Sequence, residues 1–188
     1  YDIGVRLVGS EMCIRDSCDM AAARPQPIPV FAEMSSINPV ILMPEALKAR
    51  GEKVAGELAA SVVLGAGQFC TNPGLVLGIR SPEFSAFLHS LTAKMAEQPP
   101  QTLLNAGGLE GYGKGIAALA AHPGITHLAG AAQEGKQARP QLFKADVSLL
   151  LEGDERLQEE VFGPTTIVVE VADQAELLEA VKLSLIHI

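Results

Sequence analysis

Apolar residues recur at helical spacing between Pro44 and about Ala66, where Leu47, Val54, Leu58, Ala59, Val62 and Val63 form one stripe. This spacing predicts a long helix, with Pro44 suited to its first turn and Gly65 and Gly67 ending it. A second helix is expected from Pro82 to about Glu97, with Ser81 as its N-cap. A third is expected over 112–122, and a last one over DQAELLEAVK with Asp173 as its cap. Between them lie short apolar runs of strand character: VFAEM, PVILM bounded by Pro39 and Pro44, Leu75–Ile79, ITHLAG, ARPQLFKAD and GPTTIVVEV. MAAARPQPIP reads as a helix end or loop, and PPQ as a linker. Strands alternating with helices predict an α/β fold, a largely parallel sheet flanked by helices. No internal repeat or low-complexity stretch interrupts it.

The two ends follow neither period. Residues 1–17 (YDIGVRLVGSEMCIRDS) lack helical or strand periodicity, and LSLIHI leaves a helix without a cap. The two segments share one origin at the nucleotide level. LSLIHI can be encoded by CTGTCTCTTATACACATC, the reverse complement of GATGTGTATAAGAGACAG, and that string can lie within the codons of EMCIRDS. An inverted element of this kind resembles the end sequence used in transposon-based library preparation. Residues 1–17 and 183–188 are therefore expected to be translated adapter, to be set aside from fold reasoning like a tag. Cys13 and His187 then carry no function.

Composition narrows the class. The chain has 188 residues, enough for a domain with a real core, and 48% of them are hydrophobic. A formal net charge of -8 argues against a nucleic-acid partner, which would need a clustered basic face. No apolar run is long enough for a transmembrane helix, and no secretory leader pattern is visible. The three cysteines, Cys13, Cys18 and Cys70, have no metal-ligand spacing. They fit a reducing cytoplasm with room for one reactive thiol, and no metal site is expected.

Three places could carry chemistry. Cys70 lies in GQFCTNPG, on a Gly-rich loop after the long helix, among small neighbours that leave its sulfur approachable. A thiolate there would be a strong nucleophile, although a lone cysteine is more often buried and inert. Glu33 ends the apolar run in PVFAEMSS. A carboxylate so placed is a surface residue or, when partly desolvated, a general base. QEEVFGP, residues 158–164, puts two acids before an apolar pair and a turn, the form of an ordinary polar loop leading into a strand.

The order of these motifs changes the reading. FAEMSSINPV, then GQFCTNPGLV, then QEEVFGP resembles the aldehyde dehydrogenase superfamily, with 37 residues from Glu33 to Cys70 and 90 from Cys70 to Glu160. RPQPIPVFAEMSSINPV and ALAAHPG resemble its branch of α-ketoglutaric semialdehyde (2,5-dioxopentanoate) dehydrogenases, some of which prefer NADP. The resemblance covers essentially all of residues 18–182. It implies the end of a dinucleotide-binding domain over 18–33 and a piece of the catalytic domain over 34–182. Cys70 would be the nucleophile, its backbone amide half of an oxyanion hole, and Glu33 the base that activates water. Glu160 would hold the nicotinamide ribose of NAD or NADP, with Phe162 packed near the ring. The implied whole protein is a cytoplasmic, homo-oligomeric enzyme acting on a small aldehyde, 2,5-dioxopentanoate ahead of, for example, a fatty aldehyde. A non-catalytic relative with a binding or structural role is the alternative.

Two departures qualify this. Ser35, Ser36 and Ile37 stand where many members have Gly-Gly-Lys. The upstream cofactor-binding lysine, the glycine turn and the oxyanion-hole asparagine have no counterpart in the chain, so this polypeptide alone is expected to be inactive.

Two further motifs are decoys. GLEGYGKG, Gly108–Gly115, comes near a phosphate-binding loop but has Gly115 where Ser or Thr would hold magnesium, and no strand clearly precedes it. His122 and His127 are expected to be satisfied structural histidines rather than ligands.

Overall fold

The computed structural model describes residues 11–31, 37–132 and 135–183. Backbone contacts divide the chain into two units, residues 1–35 and 36–188. In the first, α1 (Glu11–Ala22) closes in a turn in which Ala23 N–H donates to Asp19 O at 2.9 Å. This helix crosses the expected adapter boundary at residue 17, where no periodicity was visible. Val30 and Phe31 are not in a strand, contrary to the reading of VFAEM. The rest of that run lies outside the described residues, as does Glu33.

The second unit is built on five strands: β1 (Pro39–Leu42), β2 (Leu75–Ile79), β3 (Ile125–Ala129), β4 (Gln141–Ala145) and β5 (Thr165–Val171). They lie in the order β1-β2-β5-β4-β3, parallel except for β3 against β4. The helices are α2 (Pro44–Val63), α3 (Pro82–Ala96), α4 (Ala106–Ala121), the short α5 (Val147–Leu151) and α6 (Glu155–Gln158), and α7 (Gln174–Leu183). The expected α/β architecture with a largely parallel sheet is the one observed.

Period-two alternation sorts the strand residues onto two cores. Val76, Leu142 and Val168 face α2 and α3, where they meet Leu58, Val62, Phe84, Phe87 and Leu91. Leu75, Leu77, Phe143, Ile167 and Val169 point the other way, toward Tyr112, Leu119, Leu150 and Leu177. A strand buried on both faces must be apolar throughout, and β2 and β5 read that way.

Several helix ends follow from single side chains. Ser81 Oγ accepts from Phe84 N–H at 3.0 Å, and Asp173 Oδ1 accepts from Ala175 and Glu176 N–H at 2.8 and 3.0 Å. Helix α4 begins six residues earlier than expected. The cause is Asn105, whose Oδ1 accepts from Gly108 N–H at 2.7 Å and caps a turn that glycines alone would not hold. GLEGYGKG is therefore helix rather than a phosphate loop. At Gly115 an added Cβ would lie 2.9 Å from the Val161 side chain, so a close helix–loop contact accounts for that glycine. PPQ is more than a linker, because Gln101 and Ala138 exchange two backbone hydrogen bonds of 2.8 and 2.7 Å. The short α5 and α6 carry too few residues to show a period.

Candidate active site

Strands β1, β2 and β5 are parallel and in register, Pro39 opposite Leu75 and Leu75 opposite Ile167. The segments entering them therefore emerge at one edge of the sheet. These segments are the residues around Asn38, the loop 68–74 that carries Cys70, and the 159–164 turn that carries Glu160 and Phe162. Topology thus gathers two of the three motifs, 90 residues apart in sequence, at the amino ends of the strands.

The Cys70 loop begins with an unusual reversal. Helix α2 ends in a 3-10 turn, Leu64–Gly67, in which Gly65, Ala66 and Gly67 take φ of +57°, +58° and +66°. Ala66 is the one described non-glycine residue with positive φ. Such a conformation costs an L-residue about 1–2 kcal/mol, and strain of this kind concentrates at functional sites. Gly67 has a second constraint, since a Cβ there would lie 2.3 Å from the carbonyl carbon and oxygen of Gly163. Two backbones touch at that point, and only glycine permits it.

After the reversal, Gln68 Oε1 accepts from Leu104 N–H at 2.9 Å and pins the loop to the segment before α4. Asn72 N–H donates to Phe69 O at 3.0 Å, closing a turn with Cys70 and Thr71 at its centre. Cys70 is exposed and its thiol is free. Phe69 is also exposed, at 49%, with its ring lying over Gly65.

Two asparagines tie this turn to its surroundings. Asn38 Nδ2 donates to Cys70 O at 2.7 Å and to Asn72 O at 3.2 Å. Asn72 Nδ2 donates to Gly163 O at 3.2 Å, while its Oδ1 is buried and meets no donor among the described residues. Gly163 in turn rests against Tyr112, where an added Cβ would be 2.3 Å from the ring. The Tyr112 hydroxyl lies 2.6 Å from Arg139 O and 3.3 Å from Pro164 O, and burial pushes its pKa up. Sequence reasoning missed both asparagines. Their signal was there, because each precedes a proline (Asn38-Pro39 and Asn72-Pro73), a step that keeps the asparagine out of helix and favours turns.

The expected cofactor residues lie beside this network. Glu160 is half-buried and borders a small, mainly apolar recess together with Ile37, Asn72, Val161, Thr165 and Ile167. Phe162 is 41% exposed. Glu160 and Phe162 lie two positions apart on the 159–164 turn. The links between the two motifs run through Gly67, Asn72 and Gly163, whereas the Cys70 thiol itself faces out. Among the described residues no cluster of His, Cys, Asp and Glu could hold a metal ion. His122 lies 3.3 Å from Asp154 Oδ2 and accepts from Gly124 N–H at 3.2 Å, and His127 is 2.7 Å from Gln141 Oε1. Both are satisfied within the fold.

The largely parallel sheet, with two loops fastened together at the amino ends of its strands, defines an α/β domain with a candidate site at that edge. Residues 4–183 match the aldehyde dehydrogenase family, and the chain belongs to that family. It is 53% identical over 166 residues to an alpha-ketoglutaric semialdehyde dehydrogenase of Acinetobacter baylyi (strain ATCC 33305 / BD413 / ADP1), covering 87% of this chain and 32% of that protein. Alpha-ketoglutaric semialdehyde dehydrogenase 2 of Azospirillum brasilense is 42% identical over 168 residues, with the same coverage of 87% and 32%. The chain thus spans about a third of the length of these relatives.

Among solved structures, the NAD-dependent benzaldehyde dehydrogenase of Corynebacterium glutamicum superposes with a TM-score of 0.74 at 22% identity, over 94% of this chain and 38% of that one. A betaine aldehyde dehydrogenase of Staphylococcus aureus in complex with NAD+ gives 0.65 at 18% identity, over 81% and 32%. At such identities the likeness is one of fold. No described helix is long and apolar enough to cross a membrane.

Proposed function

We propose that the full-length protein carrying this sequence oxidises an aldehyde to a carboxylate with NAD or NADP, through a thioester on Cys70. The observation that carries this reading is the exposed Cys70 on a turn fastened to the segment of Glu160 and Phe162. The 53% identity to the Acinetobacter relative favours 2,5-dioxopentanoate as substrate and 2-oxoglutarate as product.

The Cys70 thiolate adds to the aldehyde carbon. A C–S bond forms and the carbonyl π pair moves to oxygen, where the backbone N–H of Cys70 donates to it. A bound nicotinamide cofactor would supply the acceptor for the hydride that leaves that carbon. The C=O bond re-forms and leaves a thioester on Cys70. Glu33 takes a proton from water, and the resulting hydroxide adds to the thioester carbon. The C–S bond then breaks and Cys70 leaves as thiolate. Glu160 would hold the ribose hydroxyls of that cofactor and Phe162 would pack by its ring, which would keep the reacting centres in line. The proposed setting is the cytoplasm, and the proposed assembly a homo-oligomer.

The test is made in the full-length protein. Cys70→Ala is expected to abolish aldehyde oxidation, and Glu33→Gln to accumulate the thioester, trapped by rapid quench and mass spectrometry. Full turnover by either variant contradicts the assigned role. A higher kcat/KM for a fatty aldehyde than for 2,5-dioxopentanoate would overturn the substrate reading.

We further propose that residues 1–17 and 183–188 are translated adapter. The family match reaches back to residue 4, so this boundary is the sensitive point. An intact source gene that encodes both segments natively would refute it.

A further inference from the structure

Cys70 sits in the first central position of the 69–72 turn, so its carbonyl belongs to the central peptide of that turn. This peptide is the soft part of any four-residue turn. Rotating it converts one turn type into another with little movement of the flanking residues. The peptide before it is already fixed. Phe69 O accepts from Asn72 N–H inside the turn. Because C=O and N–H point in opposite directions across a trans peptide, the Cys70 N–H is aimed outward. Nothing within the turn fixes the central peptide, and that is where Asn38 acts. Its Nδ2 holds Cys70 O at 2.7 Å and reaches Asn72 O at 3.2 Å. The clamp comes from outside the turn, 32 residues upstream, at the start of β1.

We propose that Asn38 is a positioning residue: by holding the Cys70 and Asn72 carbonyls it fixes the central peptide and seats the whole turn against the start of β1, so that the Cys70 thiol and the outward N–H are presented together to one carbonyl group. This rests on the thioester chemistry proposed above. The alkoxide formed when sulfur adds to an aldehyde needs a fixed donor, and removing a donor of this kind outright slows reaction by about 10²–10³-fold. Loosening one should cost less. Alkylation by iodoacetamide is the contrast. Sulfur displaces iodide at carbon, a C–S bond forms as C–I breaks, and no oxyanion appears.

The experiment uses the full-length protein, with rates expressed per titrated Cys70 thiol so that misfolded molecules do not count. Asn38→Ala is expected to lower kcat for aldehyde oxidation about tenfold, with KM within threefold and the iodoacetamide rate within twofold of wild type. Asn38→Asp keeps the shape but turns an acceptor toward two carbonyl oxygens, so its kcat should fall further. Unchanged kcat in both variants overturns the proposal. So does a parallel fall in kcat and alkylation, or failure of both variants to fold, since each marks Asn38 as merely structural. If the wild-type protein oxidises no aldehyde, or Cys70→Ala stays active, the proposed function has failed and this inference with it.

Discussion

The side-chain amide of Asn72 donates to the carbonyl oxygen of Gly163 at 3.2 Å, across 91 positions of sequence. One hydrogen bond thus joins the turn of the thiol to the turn of Phe162, and the same glycine presses its backbone against Gly67. Gly163 O is not orphaned without Asn72, because Thr165 N–H also donates to it at 2.8 Å.

Asn72→Ala in the full-length protein should therefore cost about 1 kcal/mol of stability, the worth of one net hydrogen bond, rather than the larger cost of a stranded carbonyl. The more specific effect should fall on the cofactor side, with KM for the nicotinamide cofactor rising severalfold. Steady-state kinetics with varied cofactor checks this. An unchanged cofactor KM would mean that the bond does not transmit position between the turns.

Gly67 and Ala66 should differ sharply in their response to substitution. Gly67→Ala places a methyl 2.3 Å from the Gly163 backbone in a left-handed conformation, and should cost at least about 2 kcal/mol, since backbone must move. Ala66→Gly relieves about 1–2 kcal/mol of left-handed strain. It also loses a buried methyl, about 0.8 kcal/mol, and gains chain entropy on unfolding, about 0.5–1 kcal/mol. The sum is close to zero, so Ala66→Gly should shift the unfolding midpoint little. Denaturant titration of both variants would separate them.

Tyr112 is buried, and burial raises its pKa because the phenolate is poorly solvated there. The folded protein thus favours the neutral ring. Its stabilising contribution is complete below the unfolded value of about 10 and is lost as pH rises from there toward the folded value. Tyr112→Phe should remove that alkaline dependence and cost about 1 kcal/mol at neutral pH, because the carbonyl of Arg139 loses one donor and keeps Gln141 Nε2 at 3.1 Å. Unfolding curves from pH 8 to 11 for the two proteins would show whether the alkaline slopes differ.

At the opposite end of the sheet, Glu170 on β5 lies 2.6 Å from Lys144 Nζ and 3.2 Å from Arg80 Nε. Burial alone would raise its pKa, but the hydrogen bonds and charges of Lys144 and Arg80 outweigh it, and the net direction is down. A depressed carboxylate stabilises the fold above its unfolded value, about 4.3, and that stability is lost as pH falls through the folded value. Lys144→Met should cost about 1 kcal/mol at neutral pH and flatten the acid limb below pH 4, measured by acid denaturation. An unchanged acid limb would exclude this ion pair as a contributor.

Much of this was legible in the chain because it is local. Apolar period marked α2, β2 and β5. Ser81 and Asp173 announced their caps, because each acts within three residues of itself. Cys70, Glu160 and Phe162 stood out through motif order alone. Where the reading slipped, distance in sequence was the reason. The early start of α4 depended on how far Asn105 could hold a glycine-rich turn, and α5 and α6 were too short to carry a period. The pairing of Gln101 with Ala138 depended on a partner 37 positions away.

Sequence by itself thus determined which side chains were candidates for chemistry and which faces of helix and strand would be buried, since both follow from residue type and spacing. Tertiary structure alone decided what meets the Cys70 turn. Parallel strand order brought Asn38, the Cys70 loop and the Gly163 turn to one sheet edge, and the contacts there are made by carboxamides and bare glycine backbone. Such groups show no hydrophobic period and no charge pattern, so only the folded chain reveals which of them fasten the backbone of the Cys70 turn.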